Sequence, residues 1–431
     1  MAAAARASGL DLEALEGAMR RAVLRVGADL VEDLLEGVGV GRRGEATRCS
    51  CGAVMHSLGV RTKRVLTLLG EVSFDRSSFQ CPRCGKTRFP GDEELDIVGM
   101  SHSPGIRRQV ARLGAKEPFR AVAVDMKELA SIDISPKGAE RVAEAMGEDM
   151  GQWADREREK LRFQAPPAPE VEKTIENLYI ELDGTGVPMT KHEVTGRKGK
   201  QKDGSAKTRE AKLGCVFTQT AFDEKNRPIR DPATTSFTGA IESADPFGWR
   251  IYLEAYMRGL FLAKRVVVLS DGAEWIRNIV QTHFPMATHI IDIYHAREHL
   301  IALCRLLLGD TPKAFTLYKD RWWECLDKGD IETIMDEARG FLPKDPDAGK
   351  EARTAIGYFE NNMERMRYAD FKAQGMFLGS GVIEAGCKHV IGQRLKQSGM
   401  EWSVRGANAI IALRCIEASN RTEDYWEHRA A

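Results

Sequence analysis

No run of about 18 apolar residues occurs anywhere in the 431-residue chain, so the sequence offers no membrane-spanning helix. The opening Met1-Ala-Ala-Ala-Ala-Arg6 lacks the long apolar core of a secretory signal. Net charge is missing as well. With 63 basic residues against 63 acidic ones, bulk electrostatics announce no nucleic-acid partner, and any such partner must be sought in local charge. Nine cysteines spread over this length make no disulfide scaffold. These absences predict a cytoplasmic protein with no membrane partner. What remains is ordinary for a globular chain of two or three domains: 43% hydrophobic and 29% charged residues.

The pattern changes along the chain. Apolar positions at helical spacing run from Leu10 to Leu35 and give way to a glycine-rich stretch, so residues 1–44 read as an N-terminal helical segment. Residues 45–98 are cysteine-bearing and strand-like. Residues 99–163 form a small helical domain whose patterns at 117–130 and 136–146 make a candidate helix-turn-helix, with Ser135 as N-cap and Pro136 at the first helical position. Lys137, Glu140 and Arg141 would then face a DNA groove. A proline-rich linker, 164–172, separates this half from residues 173–431. There, strands are expected at 178–182, 213–222, 234–241, 265–269 and 289–293, with helices at 246–263 and 274–283. After Tyr294 the chain turns almost wholly helical.

Four cysteines fall in two tight pairs, Cys49-Ser-Cys51-Gly52 and Cys81-Pro-Arg-Cys84-Gly85, with room for a strand hairpin between them. Cytosolic thiols so grouped suit a structural zinc ion bound by Cys49, Cys51, Cys81 and Cys84. The first pair is one residue shorter than usual, so His56 in place of one cysteine, or an empty site, are the alternatives. Cys215, Cys304, Cys325, Cys387 and Cys415 lie in apolar settings and read as core.

Three carboxylates stand at the ends of elements: Asp183 and Asp271, each before a glycine, and Glu384 in a late helix after Gly379-Ser-Gly381. Converging carboxylates clamp the divalent cations of phosphoryl-transfer sites. Each also has a plain structural reading. Asp183-Gly184 is a hairpin-turn dipeptide, Asp271 with Glu274 a capping box, and Glu384 with Lys388 a surface pair. Against a capping role for Glu384, Ser380 as N-cap would put Ile383 at N3. His295 and His299, four apart on one helix face, form a conceivable zinc pair, but the glutamate of a His-Glu-x-x-His motif is missing.

Leu182-Asp-Gly-Thr-Gly-Val-Pro-Met189, Leu269-Ser-Asp-Gly-Ala-Glu-Trp275, Asp292-Ile-Tyr-His295 and Gly379-Ser-Gly-Val-Ile-Glu384 resemble insertion-sequence transposases of the ISKra type, relatives of the Mutator-like group. So do the residues that follow: Lys388, Arg394-Leu-Lys396, Gly399 and Trp402. The resemblance runs from about residue 45 to 418. It implies an α/β, ribonuclease-H-like mixed sheet with a large helical insertion at about 295–375, preceded by a zinc-ribbon-like segment and a small helical domain. It further implies DDE catalysis, with Asp183, Asp271 and Glu384 holding two Mg²⁺ or Mn²⁺ ions. Asp292, His295 and Lys388 would neighbour the active site, and Arg394 and Lys396 would touch DNA. A helix cap and a hydrogen-bonded histidine are the equal alternative for Asp292 and His295.

Local charge agrees with a DNA partner. Residues 42–90 carry ten Lys/Arg against three Asp/Glu, among them Arg61, Lys63 and Arg64. Residues 191–212 carry eight against three, with Arg197, Lys198 and Lys200 in what reads as a mobile loop. The resulting expectation is a homo-oligomeric transposase that cleaves DNA at element ends and transfers the strand into target DNA. A metal-dependent nuclease without strand transfer is one alternative. The other is a catalytically inactive, transposase-derived zinc-containing DNA-binding protein.

Overall fold

The computed structural model describes residues 11–37, 46–163, 175–309, 312–343 and 349–430. The expected linker at 164–172, the alanine-rich start and the glycine-rich stretch beyond Gly37 lie outside the described residues. Two compact units are present, Met1–Met146 and Gly147–Ala431.

In the first unit the helix Leu12–Gly37 precedes a four-stranded antiparallel sheet in chain order: β1 (Ala46–Arg48), β2 (Val54–Thr67), β3 (Gly70–Gln80) and β4 (Thr87–Arg88). β2 and β3 form the hairpin expected between the cysteine pairs, closed by Leu68-Leu69 between the partners Thr67 and Gly70. A small core of Val65, Phe74 and Ile97 lies beneath it.

Lys63 corrects an expectation. Period-two alternation puts it on the strand face of buried Val65, so it turns inward. Its ammonium lies 2.9 Å from Asp92 Oδ2 and 2.6 Å from the Ile97 carbonyl, and Asp92 also accepts Arg76 Nε at 2.5 Å. Two cations thus neutralise one buried carboxylate, and Lys63 is no DNA contact. Arg61 and Arg64 remain exposed, Arg64 with only a 3.8 Å pair to Glu71. Lys63→Ala should cost about 2–3 kcal/mol, because it takes the donor away from a buried carboxylate oxygen and from the Ile97 carbonyl, with Arg76 left as the one partner of Asp92. The denaturation midpoint should fall. A variant as stable as wild type would show that the triad carries no structure.

Three helices follow, Pro104–Gly114, Phe119–Ala130 and Pro136–Phe163. The last begins as expected, with Ser135 Oγ accepting the Gly138 N–H at 3.0 Å. It does not stop near residue 146, because buried positions continue at helical spacing through Met150, Trp153 and Ala154. Lys137 and Glu140 pair with each other, and both Lys137 and Arg141 of the expected groove-facing trio are exposed.

The second unit is built on a mixed five-stranded sheet. Its strands are β5 (Ile175–Pro188), β6 (Thr208–Gln219), β9 (Ser236–Ala240), β10 (Ala263–Ser270) and β11 (Thr288–Ile291). A short side hairpin of β7 (Ala221–Phe222) and β8 (Pro228–Ile229) stands apart. The order is β11-β10-β5-β6-β9. β6 runs antiparallel to both β5 and β9, while β10 runs parallel to both β5 and β11. One face, Leu178, Ile180, Leu182, Val216 and Val268, packs on Phe247 and Ile251 of the helix Ala244–Met257 and on Ile276 and Ile279 of the helix Glu274–His283. Each such fully buried aliphatic side chain stabilises the unit by roughly 1.5–3 kcal/mol. On the other face Tyr179 stacks on Phe217, with ring centroids 5.1 Å apart.

Asp183-Gly184 is not a turn. β10 leaves β5 at the pair Leu269–Glu181, but β5 stays paired with β6 as far as Pro188–Thr208, forming a two-stranded arm beyond the rest of the sheet. A Cβ at Gly184 would lie 2.5 Å from Glu210 Oε1, so a larger residue there would have to push that flexible side chain aside. The basic segment at the arm's tip, expected to be a mobile loop, is folded on itself. Gly199 N–H donates to Gly204 O at 2.9 Å, and Ala206 N–H to Arg197 O at 3.0 Å.

After β11 come the helices Ile293–Leu308, Pro312–Lys328, Ile331–Gly340, Lys350–Asn362 and Tyr368–Ala373. The chain then returns to where it left the sheet, with Ile293 N–H donating to Leu378 O at 3.0 Å. Among the described residues no helix is long and apolar enough to cross a membrane.

Candidate functional site

Three segments distant in sequence meet at one cleft of about 410 Å³, lined by Asp183, Asp271 and Glu384 together with Asp292, His295 and Glu298. Asp183 lies two residues beyond the last β5–β10 pair and Asp271 directly after β10, so the parallel register brings them side by side. Asp183 is largely buried. Burial pushes its carboxyl above the usual range, opposed by hydrogen bonds from the Cys387 thiol and the Gly184 N–H, and the Asp271 charge raises it further. Two carboxylates in mutual repulsion are what a divalent cation relieves.

The plain structural readings of the trio do not hold. The helix Glu274–His283 has Ala273 as N-cap with no side-chain bond, so no capping box forms. Asp271 Oδ1 instead accepts the Ala273 N–H at 2.8 Å. Glu384 is exposed on the helix Gly381–Gly386 and, among the described residues, makes no ion pair with Lys388, which lies outside the cleft lining.

Two further carboxylates hold the Glu384 helix in place. Asp292, 2% exposed, is the N-cap of the helix Ile293–Leu308, its Oδ1 accepting the His295 N–H at 2.8 Å. Its Oδ2 accepts both the N–H and the hydroxyl of Ser380, at 2.5 and 2.9 Å. Asp292 is therefore a helix cap that also reaches the cleft. Glu181, which the sequence reading passed over, sits one strand period before Asp183. Its Oε2 accepts the Ile383 N–H at 2.8 Å, supplying the bond at N3 that Ser380 does not make. Burial pushes Glu181 up to about 8, with the charges of Asp292 and Glu384 adding to the shift. A glutamate inside the apolar run Leu178–Leu182 was the available signal.

Cys387 is likewise more than core filling, because it contacts Asp183. It opens a π-helical turn, Cys387–Gly392, a geometry frequent at functional sites. Arg414 secures that turn by donating to the carbonyls of His389 and Val390.

His295 and His299 do not form a metal pair. His299 stacks on Tyr358 at 3.9 Å, and burial holds it below the usual histidine range. Arg394, expected on DNA, is fully buried with its guanidinium 5.0 Å from the Trp402 ring centre, packed there because Leu395 and Trp402 are core residues. Lys396 is exposed and donates to Thr185, two residues past Asp183. Arg197, Lys198 and Lys200 are exposed on the arm.

In the first unit Cys49, Cys51, Cys81 and Cys84 have sulfurs that all lie within 4.8 Å of one another. The closest pairs, Cys49–Cys84 and Cys51–Cys81, are 3.6 and 3.5 Å apart. A tetrahedral zinc with Zn–S near 2.3 Å sets its sulfurs roughly 3.8 Å apart, so the donor set fits. Gly52 and Gly85, at φ +85° and +72°, turn the chain after each pair, which is how the short Cys-x-Cys spacing still closes the cage. His56 is exposed on β2 and stands outside this group.

Residues 251–429 match the model of an uncharacterised protein family, UPF0236. A UPF0236 protein in the vanSb 3′ region of Streptococcus gallolyticus is 21% identical over 376 residues, covering 86% of this chain and 75% of that protein. A UPF0236 protein of Caldanaerobacter subterraneus subsp. tengcongensis, whose name joins eleven loci, is 21% identical over 364 residues, covering 82% and 67%. Among solved structures, a chain of the Drosophila P element transposase strand transfer complex aligns with a TM-score of 0.23 and 9% identity, covering 75% of this chain and 84% of that one. That likeness is too loose to carry a fold or a function. By sequence the chain is similar to UPF0236 proteins over most of its length, and the family match spans the part that carries Asp271, Asp292 and Glu384.

Proposed function

We propose that the chain is a DDE transposase of the ISKra type, cutting DNA at element ends and joining the freed end to target DNA, on a ribonuclease-H-like core. The observation that carries this is the convergence of Asp183, Asp271 and Glu384 on one cleft, with none of the three spent on a helix cap or an ion pair. The strand order, with three antiparallel strands and then two parallel ones added beside the first, supports the ribonuclease-H-like reading. A relative encoded at eleven loci of one genome has the copy number that a mobile element leaves.

Asp183 and Asp271 would hold one divalent cation between them, and Glu384 a second. Such ions supply the Lewis acidity that activates an attacking oxygen and stabilises the departing one. Glu181 and Asp292 would set the Glu384 helix against β5. Arg61, Arg64, Lys396 and the arm residues Arg197, Lys198 and Lys200 would neutralise phosphates, giving binding that weakens steeply with salt. The cysteine cage would hold structural zinc.

The test incubates the purified chain with duplexes carrying the flanking ends of its gene, with Mg²⁺, Mn²⁺ or chelator. Metal-dependent nicking plus joined products is the expected result. Nicking without joining would make the protein a nuclease, and binding without nicking an inactive descendant.

A further inference from the structure

The helix Leu12–Gly37 has two apolar faces. One packs within its own unit, where Ala28 is buried and a Cβ at Gly27 would lie 3.3 Å from Leu69. The other is bare. Leu12, Met19, Val23, Val26, Leu30 and Leu34 are each 57–68% exposed, and Leu15 is 36% exposed. Successive spacings of three, four and four residues bring the pattern back to the same phase every eleven. Leu12 aligns with Val23 and Leu34, Leu15 with Val26, and Met19 with Leu30. An eleven-residue repeat is about 3.67 residues per turn, so the stripe runs almost straight along ~33 Å of helix.

We propose that this stripe pairs with the same stripe of a second copy of the chain. The area supports a pair. Exposed apolar patches beyond roughly 300–600 Å² mark interaction sites on monomers, and seven large side chains exposed to this extent reach that size. Two such stripes face to face bury on the order of 1,000 Å², the lower limit for a specific interface. The regular phase makes the seam self-complementary, as a two-fold pairing requires. A lipid surface fits less well, because the helix is acidic. It carries Glu13, Glu16, Asp29, Glu32, Asp33 and Glu36 against Arg20, Arg21 and Arg25, whereas membrane-surface helices are rich in lysine and arginine.

The test is light scattering on the full chain at micromolar concentration, for wild type and the triple variant Met19→Glu, Val23→Glu, Val26→Glu. All three positions are exposed, so the substitutions remove no core packing. Wild type should have twice the chain mass and the variant half of that, with an unchanged unfolding midpoint. Met19→Leu, Val23→Ile, Val26→Ile should keep the dimer. A monomeric wild type overturns the proposal, and so does a dimer that survives the glutamates. Flotation of a monomeric chain with anionic phospholipid vesicles would assign the stripe to lipid and overturn it too.

Discussion

If the proposed mechanism holds, Asp183→Asn, Asp271→Asn and Glu384→Gln should each lower DNA cleavage by roughly 10³-fold or more, since each removes a carboxylate that would hold a divalent cation. DNA binding should stay near wild type. The three differ in a way that separates this role from a structural one. Burial raises the Asp183 carboxyl above its ordinary range, so its ionisation is harder in the folded chain than in the unfolded one. Above the unfolded carboxylate range, therefore, the charge at 183 opposes folding, and the opposition grows as pH rises through the folded value. Asp183→Asn removes it and should hold or raise the unfolding midpoint at neutral pH while abolishing cleavage. Asp292→Asn should do the reverse. An amide nitrogen cannot accept the bonds that Ser380 donates, so stability should fall first. Unfolding midpoints and nicking rates for the four variants decide it. An active Glu384→Gln would remove Glu384 from the metal set.

The purified chain should carry one zinc ion, and removing it should unfold the segment from about residue 46 to 98. Among the described residues the hairpin of β2 and β3 covers two small clusters, Cys49-Met55-Phe79-Cys81 and Val65-Phe74-Ile97, which by themselves offset little of the ordering of some fifty residues. Structural zinc supplies on the order of 10 kcal/mol or more at pH 7. Within the cage hydrogen bonding from the Cys51 backbone pulls the Cys49 thiol down to about 6, while Cys51, despite a backbone hydrogen bond from Ala53, is pushed up to about 11 by the neighbouring thiols of Cys81 and Cys49. Metal analysis should give one equivalent. Chelation or Cys81→Ser should open β2 and β3 to protease while the unfolding transition of the second unit persists. A well-folded chain free of zinc would leave the cysteine group as a vestige.

Much of this was legible because the relevant signals are local. Short apolar runs marked the five strands, one of them alternating, and paired cysteines before glycines marked the knuckles. What escaped depends on partners far along the chain. Whether Asp183-Gly184 turns or continues is settled by the pairing of Gly184 with Lys212, which no local propensity encodes. Lys63 looked like one of a basic cluster until Asp92, distant in sequence, claimed it. Arg394 sits in a basic tripeptide, yet Trp402 draws it inside. Glu181 drew no notice in a buried strand because its partner, the Ile383 amide, lies 202 residues away.

The Asp292–Ser380 bond joins residues 88 apart, and the Ile293–Leu378 bond lies beside it. Five helices thus leave and re-enter the core at a cinched neck, and on the way Tyr358 and Tyr368 reach back to the carbonyls of Asp271 and Ile291. The spacing between the aspartates and the glutamate is therefore set at that neck and at these two contacts. Lengthening such an excursion costs only about 0.6 kcal/mol per doubling in closure entropy. The parts of the excursion away from Tyr358 and Tyr368 can therefore be lengthened or trimmed at little cost while the three acids keep their places.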